Sequence, residues 1–266
     1  MARLGIIGAT GWLGQALGLN LVSKRVWPEQ DLVLLRRSGS GDAYAAYSGV
    51  TWARDAEELC DLCQTVVLSV RPHDFPVSGF RPKDHVLISF MAGWSLRQLQ
   101  DLAPEARIFR AMPNGGATMG KSYTPWLAGP GAAQADKVLV SQILAAIGQE
   151  ERLETEDQLH YLAGLSGSGG AYPGLMAQAM LADARAFGLP DAIANRAVEA
   201  VITGSVGLLA GRIDKVDALL DSYMSYQGIT AAGLSAAVES GFQTALREAL
   251  AAAFAKAKSM GAEQAE

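Results

Sequence analysis

The chain has 266 residues, half of them apolar and 18% charged, with a formal net charge of −5. That apolar share excludes a disordered chain, and the acidic balance argues against a nucleic-acid partner, whose phosphates call for clustered Lys and Arg. No apolar run approaches the roughly 18–20 residues of a bilayer span, the amino terminus carries no secretory signal, and two cysteines are too few for a disulfide framework, so a soluble, cytoplasmic protein without membrane partners is expected. Short β-rich runs open the chain at Leu4–Gly8, Leu32–Arg36, Val50–Ala53, Thr65–Val70, His85–Phe90, Arg107–Met112, Tyr123–Ala128 and Glu151–Glu154. Helical patterns intervene at Gly11–Lys24, Ala56–Leu62, Leu96–Leu102 and Ala135–Ile147. Strands alternating with helices predict βαβ units and a largely parallel sheet covered on both faces.

Composition shifts near residue 155. All five tryptophans and eight of the ten prolines precede it, whereas 26 of the 45 alanines lie from residue 160 onward. Thr155-Glu156-Asp157-Gln158 fits a capping box. Helical pattern follows to about Phe187, interrupted near Ser166–Gly170, then at Asp191–Gly211, Val216–Ser222 and Thr230–Met260. Helices apolar around most of their circumference call for burial on most of it. The expected division is 1–154 and 155–266, α/β then all-α, with the helical part completing its core across a homodimer interface.

The first strand runs into Gly8-Ala9-Thr10-Gly11-Trp12-Leu13-Gly14 and then a helix. A glycine turn from strand to helix sets free backbone N–H groups and the positive helix end against a pyrophosphate, and a side chain there would block close approach. The spacing is one residue longer than GxGxxG. Gly8, Thr10, Gly11, Trp12 and Leu13 are therefore candidate cofactor contacts. About twenty residues on, where an NAD site places an acid for the ribose hydroxyls, stand Arg36, Arg37 and Ser38. A guanidinium grips a 2′-phosphate that an acid would repel, so NADP(H) is favoured over NAD(H). The ends of later strands add Val70, Arg71, Pro72, Ala92, Gly93 and Asn114 on the nicotinamide side. Arg71 either holds cofactor oxygens or makes a surface ion pair, and His73 reads as structural rather than as a general acid.

Cys60 and Cys63 form a lone CxxC preceded by a helix and followed by a strand, the reverse of a redox motif. They read as ordinary thiols. His73, His85 and His160 stand at no ligand-like spacing, so no metal is expected.

Val70-Arg71-Pro72-His73, Arg110-Ala111-Met112-Pro113-Asn114, Leu165-Ser166-Gly167-Ser168-Gly169-Gly170-Ala171-Tyr172, and Ser225-Tyr226-Gln227-Gly228-Ile229-Thr230-Ala231-Ala232-Gly233-Leu234 with Glu239-Ser240-Gly241-Phe242 recur in one order. In order and spacing these segments resemble the pyrroline-5-carboxylate reductase family over almost the whole chain. The resemblance implies an amino-terminal Rossmann domain, a helical dimerisation domain, and NAD(P)H-dependent reduction of a cyclic imine acid to proline. It places Thr230 beside the imine nitrogen, with Ser225, and the backbone at Gly228, Ile229 and Thr230 against the substrate carboxylate. Thr230 could instead serve as an N-cap, and Ser166 and Ser168 either contact substrate or kink their helix. Four departures stand out: Gly170 replaces a family Pro, Gly115-Gly116 replace Thr-Pro, Tyr226-Gln227-Gly228-Ile229 replace Pro-Gly-Gly-Thr/Ala, and the glycine loop is longer. They leave open a reductase of another cyclic imine or ketimine acid, or a non-catalytic NADP-binding regulator on the same fold.

Overall fold

All eight expected strands form in the computed structural model, which describes residues 2–37, 40–75 and 78–263. They are β1 (Leu4–Ile7), β2 (Leu32–Leu35), β3 (Thr51–Trp52), β4 (Thr65–Leu68), β5 (Val86–Ser89), β6 (Arg107–Ala111), β7 (Ser122–Ala128) and β8 (Gly148–Arg152). Their order in the sheet is β3-β2-β1-β4-β5-β6-β7-β8. β1 to β6 are parallel, β7 runs antiparallel to β6, and β8 pairs parallel with β7. β8 begins three residues before its expected start because its polar sequence, Gly-Gln-Glu-Glu-Arg, carries no β signal; pairing with β7 makes it a strand.

The four expected intervening helices are α1 (Trp12–Ser23), α2 (Ala56–Leu62), α3 (Leu96–Leu102) and α4 (Gln134–Ala145). The central strands are apolar on both faces, as a covered parallel sheet demands. Ile6, Leu34, Val67 and Ile88 pack with Leu17 and Leu21 of α1 and with Val140, Ile143 and Leu144 of α4. Ile7, Leu35, Val66 and Leu87 pack with Leu59 and Cys60 of α2 and with Leu99 of α3. This is a doubly wound Rossmann sheet whose strand order reverses between β1 and β4, the place where such folds bind ligands.

The rest is helical: α5 (Glu156–Leu162), α6 (Ala171–Ala186), α7 (Asp191–Glu199), α8 (Val216–Ser225), α9 (Ile229–Glu239) and α10 (Phe242–Glu263). The Thr155 capping box forms as expected at the start of α5. Two expectations change. The helix expected over Thr230–Met260 breaks at Gly241, which takes φ 83°, a left-handed conformation that suits glycine. The helix expected over Asp191–Gly211 stops at Glu199 and continues as a wide turn, Ala200–Gly204, where Thr203 Oγ1 donates to the Glu199 carbonyl, and a tight turn, Ser205–Leu209. Together these make Asp191–Leu209 a helical run of 19 residues, long and apolar enough by length and composition alone to cross a membrane. Arg196 and Glu199 interrupt it, so it is not an unbroken apolar run.

The chain forms two compact units, Met1–Ser168 with Ala252–Glu266, and Gly169–Ala251. Within the first, one buried ion pair ties α5 to the sheet. Arg110 on β6 is only 2% exposed, and its Nη1 binds Glu156 Oε1 in the first turn of α5. Glu156 Oε1 also accepts a 2.9 Å bond from the Leu96 amide at the start of α3. Burial pulls the Arg110 guanidinium below its ordinary range while the Glu156 carboxylate favours its charged form. Glu156→Ala should leave that guanidinium buried and unpaired. Because Glu156 is a third exposed, the expected loss is at the low end for such pairs, about 3 kcal/mol. Urea unfolding of the two proteins measures it, with Glu156→Gln losing less because it can still accept from Leu96.

Candidate functional site

The carboxyl ends of β1 and β4 open into a cleft of about 1010 Å³ in the first unit. Its floor is the glycine loop. The amides of Gly8 and Ala9 donate to the Leu35 carbonyl at 2.9 and 3.0 Å, bending the chain sharply off β1. Gly8 has φ 88°, and a Cβ there would collide with the Ser69 carbonyl oxygen; one on Gly14 would collide with the Gly8 carbonyl oxygen. α1 then starts at Trp12 with Gly11 as its N-cap, no side-chain cap and no acid in its first turn. The first-turn amides have no partner within the helix, which suits an anion.

Gly8, Thr10, Gly11, Trp12, Leu13, Arg36, Arg37, Val70, Arg71, Pro72 and Ala92 all line this cleft. Ser38 lies outside the described residues. Gly93 and Asn114 are not among the lining residues. Gly93 is buried in the turn after β5 with φ 79°, and both polar ends of the Asn114 side chain are engaged. Its Nδ2 donates to the Ser166 carbonyl at 3.0 Å, and its Oδ1 accepts from the Gly116 amide at 2.9 Å. Sequence reasoning missed Arg54 and Asp55 after β3, Ser69 after β4, Phe90 after β5, and Asp74. The rule that strand carboxyl ends line the crevice reaches all but Asp74, whose place follows from its ion pair with Arg37. Arg71 is exposed and has no carboxylate partner among the described residues, and the His73 ring lies 3.6 Å from Asp74.

Ser166 Oγ donates to the Leu162 carbonyl at 2.9 Å inside the wide turn Ala163–Gly167, and the Ser168 hydroxyl reaches the Ala163 carbonyl at 3.5 Å. Each serine therefore bonds the backbone of its own bent helix. On the second unit Ser225 ends α8 and donates to the Ser222 carbonyl at 3.0 Å. Gly228 caps α9, Ile229 is its first residue and is 95% exposed, and Thr230 is its second. Thr230 is thus not the N-cap. Gln227 adopts φ 52° in the short loop before it. Cys60 and Cys63 are free and buried. Burial pushes both thiols up, Cys63 to about 12, which marks them as inert. Among the described residues no group of three or more His, Cys, Asp or Glu could hold a metal.

Residues 156–260 match the pyrroline-5-carboxylate reductase dimerisation family. Pyrroline-5-carboxylate reductases of Synechocystis sp. and Escherichia coli are each 27% identical to the chain, covering 97% of it and 98% of the relative. The chain resembles the pyrroline-5-carboxylate reductase family. The fold agrees: the Plasmodium falciparum pyrroline carboxylate reductase with NADP bound superposes with a TM-score of 0.84 at 24% identity, covering 98% of both chains. A reductive aminase from Aspergillus terreus in complex with NADPH and ethyl-5-oxohexanoate gives 0.57 at 19% identity, covering 92% of this chain and 94% of that one.

Two departures from the family pattern have local causes. A Cβ on Gly115 would lie 2.8 Å from the Trp12 ring, so that indole takes the space of a threonine side chain. A Cβ on Gly116 would lie 2.6 Å from the Lys121 carbonyl oxygen. In the cleft itself, Gly14→Ala should force the loop away from α1. The expected result is a loss of stability of about 1–3 kcal/mol, as for an overpacked site, read by urea unfolding beside the wild type.

Proposed function

We propose that the protein is an NADPH-dependent reductase of a cyclic imine acid, most directly of 1-pyrroline-5-carboxylate to L-proline. The observation that carries this reading is the glycine-cradled, arginine-rimmed cleft at the strand-order reversal, in a chain similar along its length to relatives named for that reaction. The cradle fits a pyrophosphate because it admits no side chain at Gly8 or Gly14, and Arg36 and Arg37 at its rim suit a 2′-phosphate. Solved neighbours that hold NADP or NADPH support the same coenzyme.

When bound, the coenzyme supplies the hydride. The chain's part is positioning. Val70, Arg71, Pro72 and Ala92 would flank the nicotinamide, with Gly93 and Asn114 shaping the turns behind it. The start of α9 offers the amides of Gly228, Ile229 and Thr230 to a carboxylate, as helix starts do. The Thr230 and Ser225 hydroxyls would hold the imine nitrogen, and Ser166 and Ser168 would exchange their helix-backbone bonds for substrate. A pyrroline-type imine is protonated near neutral pH, so orientation of donor and acceptor supplies most of the acceleration. In this reading residues 1–154 hold the coenzyme, and residues 155–266 hold substrate and self-associate as a homodimer. The free thiols support a cytoplasmic setting.

A panel of cyclic imines assayed with NADPH tests the substrate. The expected outcome is the highest kcat/KM for pyrroline-5-carboxylate. The exposed Tyr226 and the left-handed Gln227 favour the second reading, and a six-membered or sulfur-containing imine that outperforms the pyrroline would establish it. Tight NADPH binding with no turnover across the panel would mark a non-catalytic binder.

Leu250 lies on α10, half buried within a single chain. Leu250→Glu should set an unpaired carboxylate into an apolar interface at a cost of several kcal/mol. Loss of the dimer in sedimentation, together with loss of activity, is the expected result. A fully active monomer would contradict it.

A further inference from the structure

Arg36 and Arg37 are adjacent in sequence and differently engaged. Arg37 Nη1 is ion-paired with Asp74, in the turn after β4. Arg36 has no carboxylate partner among the described residues. Its guanidinium carbon instead lies 4.8 Å from the centroid of the Trp52 ring on β3. Stacking on an indole holds a guanidinium by its face and leaves its N–H edge available. Trp52 is itself braced. The Tyr44 ring meets it edge-on at 5.8 Å and 87°, and the buried Tyr44 hydroxyl donates to the Ala9 carbonyl in the glycine loop at 3.3 Å. A Cβ on Gly41 would lie 2.8 Å from the Trp52 ring and 3.2 Å from Arg36 Nη1, so a side chain there would press on the stack. A chain of contacts, Ala9–Tyr44–Trp52–Arg36, thus spans from the pyrophosphate cradle to the cationic rim.

We propose that Arg36 makes the contact that selects a 2′-phosphate, that Trp52 is the positioning residue fixing its guanidinium, and that Arg37, with its charge balanced by Asp74, contributes little to that choice. The proposal rests on the coenzyme reading above and assigns its selectivity to one arginine and one aromatic face.

Equilibrium titrations of the full chain with NADPH and NADH test it without requiring turnover. Arg36→Ala should weaken NADPH by about 30-fold, in the range of a lost charge-assisted bond, and NADH by less than about twofold. Arg37→Ala should cost NADPH less than about threefold, as for a charge already paired in solvent. Trp52→Leu should weaken NADPH by about fivefold, in keeping with a lost cation–π contact, and leave NADH unchanged, which also reports a folded protein. Trp52→Phe keeps an aromatic face and should hold NADPH within about twofold of wild type. In the Arg36→Ala background Trp52→Leu should cost nothing further, because the two act as one unit. Equal losses from the two arginine variants, a Trp52→Leu loss that persists without Arg36, or a Phe variant as weak as the Leu variant would each overturn the proposal while leaving the coenzyme reading intact. A wild-type protein with no preference for NADPH over NADH would overturn both.

Discussion

The Leu35 carbonyl is the fixed point of the cleft. By accepting from both Gly8 and Ala9 it turns the chain through an angle that β1 alone would not take. That turn brings Gly8 against Ser69 and Gly14 against Gly8, so closely that neither glycine has room for a side chain. The cradle is therefore a consequence of strand pairing. β1 has β2 on one side and β4 on the other, and the loop leaving it must pass between their carboxyl ends. The cost of so much glycine in the unfolded chain is real, and the apolar packing of α1 through Leu17 and Leu21 offsets it.

Much of this was legible in the sequence because it is local. Strand and helix periodicities in the first half come from runs such as Thr65–Leu68, buried on both faces. The capping box at Thr155 is set by a hydroxyl and a Gln three residues apart, and the one at Ser95 repeats the pattern unread. The glycine loop announces itself because only glycine fits. What the sequence hid is non-local. β8 is a strand through its neighbour and not through its composition. Arg110 looks like a surface cation until Glu156, 46 residues away, meets it in the interior. Asp74 comes to the cleft by pairing with Arg37, which no spacing rule reveals. In the alanine-rich helices propensity is uniform, so the breaks at Gly241 and at Ala200–Gly204 are decided by single residues in a field of good helix formers.

The site residues divide along the same line. Those of the cleft are held by backbone geometry, and their places follow from where strands end. Ser166, Ser168 and Ser225 bond the carbonyls of their own helices. Such a hydroxyl can exchange one acceptor for another with little change in backbone. Thr230 follows Gly228 and Ile229 at a helix start that has no side-chain cap, just after a loop whose Tyr226-Gln227 differs from the family pattern.

The two margins of the sheet have a bearing on how the protein behaves at high concentration. At one margin β3 is only two residues long, and at the other β8 presents Glu151 and Arg152 to solvent. A strand that short offers almost no ladder to an incoming chain, and charged side chains on an edge resist being buried against another sheet, means by which sheet proteins escape edge-to-edge aggregation. Sheet-to-sheet pairing is thereby disfavoured, so large exposed side chains on the apolar helices, such as Phe187 and Leu208, add little fibrillar hazard.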